Sequence, residues 1–152
     1  METLQPLTST DYTGPAGRRG WLLRIAAAIA AVVLVGLLAT AAALQPDSAG
    51  LGTHHQLGLP PCSIRVLFGI RCPSCGMTTS WAHMMEGEFR AAAAANLGGL
   101  LLAIYALCGL GTLLQIVRQG KIPSERTIRR YTIALIAIAL VTLADWGMRV
   151  LG

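Results

Sequence analysis

The sequence predicts an all-α integral membrane protein, with about three transmembrane helices plus a short interfacial or re-entrant helix after a C-x-x-C motif. Three observations carry this. Of 152 residues, 54% are hydrophobic and only 12% charged, about half the charged share of an ordinary soluble domain. Alanine and leucine fill long uncharged runs, and apolar runs exclude polar low-complexity disorder. Most of the twelve Lys and Arg residues flank those runs, where they act as topology signals. The net charge of +5 is therefore no sign of nucleic acid, whose binders cluster basic groups on a soluble face among aromatics. The expected partners are the lipid bilayer and other membrane proteins or a second copy of the chain.

Residues 1–20 are polar, contain Pro6, Gly14, Pro15 and Gly17, and read as a disordered tail. Residues 21–152 read as a single membrane domain. Arg18, Arg19 and Arg24 lead into an uncharged run over residues 25–44. Its twenty residues cover roughly 30 Å as a helix, the thickness of a bilayer core. The first span is thus placed at about 22–44, stopped by Gln45, Pro46 and Asp47. Arg18-Arg19 before Trp21-Leu22-Leu23 loosely resembles an export signal, with Ala41-Ala42-Ala43 as a cleavage site. The run exceeds the roughly 7–15 residues of a signal core, which favours an uncleaved anchor.

A second uncharged run covers residues 91–117, longer than one span needs. Asn96 suits the interface, so the span is placed at about 93–117 with 97–117 as its buried part. Gly99 and Ala103 form a small-xxx-small pair that admits a close neighbour. The third span, about 130–148, is uncharged from Tyr131 to Ala144 and then meets Asp145, Trp146 and Arg149. Asp145 and Arg149, four apart on a helix, suit an interfacial ion pair. Five basic residues (Arg118, Lys121, Arg126, Arg129 and Arg130) crowd the short loop before this span, against three over residues 45–90. The expectation is a cytoplasmic N-terminus, with the 45–90 loop and the C-terminus outside.

That loop holds Cys62, Cys72 and Cys75, whereas Cys108 lies within a span as a small apolar filler. Cys72-Pro73-Ser74-Cys75 at a helix start sets two sulfurs one turn apart, close enough for a disulfide or shared metal ligation. Helix N–H groups there favour a thiolate. Zinc takes four ligands; the three cysteines would need His54, His55 or His83. On a helix from Cys75, His83 lies roughly 12 Å along the axis, too far for one ion. The metal set is therefore Cys62, Cys72 and Cys75 with His54 or His55, and His83 is a packing residue.

Cys75, Thr79, His83 and Glu86 form one helical stripe, and Met77, Trp81, Met84, Met85 and Phe89 an apolar one. Ile64, Val66, Leu67, Phe68 and Ile70 suggest a segment pressed against the membrane. Three uses of the cysteines stand open: a bracing disulfide, thiol transfer without the usual βαβ surroundings, and metal binding. No cofactor is assigned; zinc is the candidate. No nucleophile–base–acid set appears, so no catalytic residue is assigned and an enzyme is not the expectation.

Here the sequence resembles the domain-of-unknown-function 2752 family of small bacterial membrane proteins. The resemblance is carried by Cys62, Gly69, the C-P-S-C-G-M-T block with Pro73, Gly76 and Thr78, then Gly87 and Asn96. It covers roughly residues 58–118. Many members place arginine where this chain has Thr79, and proline where it has Leu97. The resemblance implies a bacterial inner-membrane location and no established activity. The expectation is a structural or partner-binding membrane component with a cysteine-braced outer loop. The alternative is a thiol–disulfide or zinc-handling protein acting through Cys72 and Cys75. Transport is disfavoured, because three helices form no obvious pathway.

Overall fold

A computed structural model describes residues 15–47 and 50–151. Its elements are α1 (Pro15–Ala43), a 3-10 turn (Thr53–Leu57), α2 (Ser63–Phe68), α3 (Met77–Met85), α4 (Phe89–Ala95), α5 (Leu97–Gln119) and α6 (Glu125–Leu151). No strand occurs among the described residues. α1, α5 and α6 are each long and apolar enough to cross a membrane. The all-α membrane fold expected from composition is present, with α3 as the short helix after the C-x-x-C motif.

The boundaries differ in three places. Residues 1–14 of the expected tail lie outside the described residues, but residues 15–20 are helical rather than disordered. Proline is at home in the first turn of a helix, where its missing N–H costs nothing, and Arg18 and Arg19 are good helix formers. The stretch expected as one span from 93 breaks at Asn96, whose backbone is extended (φ −163°, ψ 110°). The Asn96 side chain accepts from Gly99 N at 2.7 Å and caps α5. The third span starts at Glu125, because Ser124 Oγ accepts from Thr127 N at 3.3 Å and caps a polar first turn.

The three long helices run up, down and up. Near one end a Cβ on Gly20 of α1 would sit 3.4 Å from Gly120 O, just beyond α5. Toward the other end a Cβ on Gly98 of α5 would collide with Thr142 of α6. α5 is therefore antiparallel to both neighbours. Gly98 is the small residue that admits α6, while Gly99 admits α3, with Ser80 Cβ only 3.0 Å from its own missing Cβ. Ala103 is buried below them. The small-residue pair read at Gly99 and Ala103 thus serves α3 and the core, and its neighbour Gly98 makes the contact with α6.

α3 and α4 pack on the α1–α5 pair at the end where α6 finishes. Met84, Ala92, Leu100 and Ala103 form the small core there, with Trp81 and Ala93 against it. Elsewhere α1 and α6 expose Val32, Val33, Ile133, Ile136 and Leu140, side chains that lipid solvates without cost. α2 buries nothing and exposes Ile64, Val66, Leu67 and Phe68.

Candidate functional site

Cys72 and Cys75 are brought together by a tight turn. Cys75 N donates to Cys72 O at 3.0 Å, with Pro73 supplying the fixed φ that such turns favour at their second residue. Gly76 follows at φ 85° and stands just before α3. A Cβ on Gly76 would lie 2.7 Å from Ala95 O and 2.9 Å from Gly50 O. Only glycine satisfies both the backbone angle and the space.

The turn is held from behind by α4 and α5. Asn96 Nδ2 donates to Pro73 O and Cys75 O, each at 3.1 Å, while its Oδ1 caps α5. Ser80 Oγ donates to Asn96 O at 2.9 Å, and Thr79 shares a 2.8 Å hydrogen bond with Thr53. All four of these polar residues are buried, and each is satisfied, as burial requires. α6 adds two ties. Trp146 Nε1 donates to Arg71 O beside Cys72. Arg149 donates to Ala94 O at 2.8 Å at the end of α4 and pairs with Asp145 at 2.9 Å. The ion pair expected at these two residues forms, and its arginine also caps a helix C-terminus, where a cation is favoured.

Three thiols converge on this frame. The Cys72 and Cys75 sulfurs are 3.0 Å apart, and Cys62, from the start of α2, completes a group whose Sγ atoms all lie within 4.8 Å of one another. Ser74 Oγ lies 3.4 Å from Cys72 Sγ, and Cys72 N donates to Cys75 Sγ at 3.4 Å. Burial opposes ionisation of Cys72, but its side-chain hydrogen bonds with Cys75, Ser74 and Cys62 outweigh it and bring the thiol from 9.0 down to about 7. Burial, together with its side-chain hydrogen bond with Cys72, pushes Cys75 up to about 11. One member of the pair is thereby poised as thiolate and the other as thiol.

A cavity of about 490 Å³ opens beside the sulfurs. Cys62, Cys72, Cys75, Gly76 and Thr78 line it, so most of the C-P-x-C-G-x-T motif faces one space. Leu37 and Ala41 of α1, with Leu44 just after it, form an apolar wall, and His54, His55 and Arg65 lie among its polar lining residues.

The other expected residues fall as follows. His54 and His55 stack at 4.4 Å, and His55 Nδ1 lies 3.1 Å from Leu59 O. They line the cavity, but the sulfur group does not include them. His83 pairs with Glu88 at 2.7 Å in a separate group with Glu86. Gly69 (φ 69°) ends α2 and Gly87 (φ 83°) turns the chain between α3 and α4. Cys108 is exposed on α5. The expected apolar stripe of α3 is divided: Met84 and Trp81 reach the core, whereas Met85 and Phe89 are exposed. Ser74, Ser80, Arg149 and Trp146 were not expected at the site; the spacing of Trp146 and Arg149 marks a shared helix face, but nothing local names their partners.

Residues 62–120 match the model of a family described as a protein of unknown function (DUF2752). The match opens on the first clustered cysteine and closes at the C-cap of α5, in agreement with the motif resemblance. Comparison with curated proteins and with solved structures finds no match.

Proposed function

We propose that the chain is a membrane thiol–disulfide protein whose working group is the Cys72–Cys75 couple, with Cys62 as a third, exchanging thiol. The observation that carries this is the convergence of the three sulfurs within 4.8 Å beside a cavity. The Cys72 thiolate attacks a disulfide on a protein or small-molecule partner. That S–S bond breaks, one partner sulfur leaves and takes up a proton, and a mixed disulfide forms. Cys75 then loses its proton and attacks Cys72 Sγ, releasing the second partner thiol. The couple is oxidised by two electrons and the partner disulfide is reduced; the reverse sequence delivers the disulfide outward.

A purely bracing disulfide is the weaker use. Bridging Cys72 and Cys75 closes a loop of four residues, worth about 2 kcal/mol of chain entropy. Asn96, Gly76 and Trp146 already hold that turn by hydrogen bonds and close packing. In the orientation read from the flanking charges, the site faces the outer compartment, where disulfides persist. Mixed-disulfide trapping tests the proposal. Purified Cys62→Ser/Cys75→Ser chain in lipid nanodiscs, with no second thiol near Cys72 to release it, is expected to hold one glutathione on Cys72 after exposure to oxidised glutathione. No adduct, or one zinc ion per wild-type chain protecting all three thiols, contradicts it.

A further inference from the structure

We infer that the cavity beside the cysteines is a binding site for a membrane quinone, which accepts the two electrons of the Cys72–Cys75 dithiol. This rests on the thiol–disulfide reading above and supplies the oxidant that a recharging dithiol needs. Three features of the cavity point to that class of ligand. Its volume of about 490 Å³ lies within the roughly 300–1,000 Å³ of small-molecule sites. One wall is the last turns of a span, through Leu37 and Ala41, with Leu44 directly after it, so the space is reached at the depth where a lipid-soluble molecule resides. Its polar lining, which includes Arg65, His54 and His55 beside several hydroxyl side chains, offers donors able to bond a carbonyl oxygen.

Two sulfurs 3.0 Å apart lie at this space. A ligand there must be apolar, carry hydrogen-bond acceptors and take up two electrons with two protons; a quinone meets all three conditions. The Cys72 thiolate adds to a ring carbon and its electron pair passes to a carbonyl oxygen. The deprotonated Cys75 sulfur then attacks Cys72 Sγ, the carbon–sulfur bond breaks, and its electrons remain on the ring. The two protons shed by the thiols are balanced by two taken up by the oxygens. One disulfide and one hydroquinone result.

The test uses the full reduced chain in phosphatidylcholine nanodiscs, without oxygen, with decylubiquinone, whose fully substituted ring disfavours stable thioether products. The expected result is loss of two thiols per chain, at Cys72 and Cys75, matched by one hydroquinone. Oxidised glutathione is run in parallel. Ala41→Phe and, separately, the exposed Thr40→Trp narrow the cavity, and each is expected to lower the ratio of quinone-driven to glutathione-driven oxidation at least tenfold. If glutathione forms the disulfide but the quinone leaves both thiols free, the quinone site is overturned and the thiol couple stands. If neither forms it, both fall. An unchanged ratio in both variants overturns the cavity as the site.

Discussion

Asn96 joins the helix that crosses the membrane to the turn that carries the cysteines, so its replacement separates the account from a purely structural view. Its side chain is 4% exposed and makes three bonds: one accepted from Gly99 N and two donated to Pro73 O and Cys75 O. Asn96→Ala removes an N-cap, worth about 1 kcal/mol. It also leaves two carbonyls without their donor, at about 0.5–1.5 kcal/mol each. The expected loss is about 2–4 kcal/mol in a reversible unfolding titration in mixed micelles. Asn96→Asp divides the two roles. The carboxylate still accepts from Gly99 N and is favoured at a helix N-terminus, but it donates nothing and faces two carbonyl oxygens. The cap is expected to survive while the turn loosens and the hydrogen bonds that lower Cys72 weaken. Iodoacetamide alkylation of Cys72 followed against pH measures this: its midpoint moves upward from about 7. An Asn96→Asp chain with the wild-type midpoint and stability would refute the reasoning, because the two donated bonds would then hold nothing.

Other outcomes follow from single contacts. Ser74→Ala removes a hydrogen bond to Cys72, so its alkylation midpoint is expected to rise; a lowered pKa means thiolate above about pH 7 and thiol below it. Gly76→Ala and Gly69→Ala both force an L side chain to positive φ, costing about 1–2 kcal/mol. Gly76 alone also meets Ala95 O at 2.7 Å, where Gly69 has no atom within 4 Å. The first is expected to destabilise clearly more than the second in the same titration. Gly98→Ala drives a methyl to within 2.9 Å of three Thr142 atoms. Thr142→Ala is expected to relieve part of its cost, with a coupling of about 0.5–3 kcal/mol in a double-mutant cycle. Equal costs in the two backgrounds would remove Gly98 as the α5–α6 contact.

Much of the frame was legible because lipid imposes a simple rule: a span needs about twenty apolar residues. The run after Arg24 follows from composition alone, whereas the break at Asn96, inside the span placed from 93, depends on the cap that its side chain makes to Gly99 N. Helix ends were less legible, since α1 and α6 extend into polar residues from Pro15 and Glu125 that hydropathy reads as loop. The cysteines announced the site through their spacing, and the sulfurs of Cys72 and Cys75 do meet. Distant hydrogen bonds hid the rest. Trp146 reaches Arg71 across 75 residues, and no local pattern encodes that pairing. Ser80 and Thr79 lie off the apolar stripe of α3 yet are buried, because Asn96 O and Thr53 satisfy them. The zinc set drawn from spacing is assembled as far as its three sulfurs, while His54 and His55 stay outside that group.

The central claim is that Cys72 and Cys75 form a reversible couple rather than a fixed brace or a metal site. It is tested most directly by equilibrating the full chain in nanodiscs with glutathione buffers of graded potential and counting free Cys72 and Cys75 by differential alkylation and mass spectrometry. The account predicts that both thiols appear together in a two-electron transition within the glutathione range, lost in Cys72→Ser. A pair that stays oxidised in the most reducing buffer, or thiols that stay blocked until a chelator removes a bound metal, would contradict it.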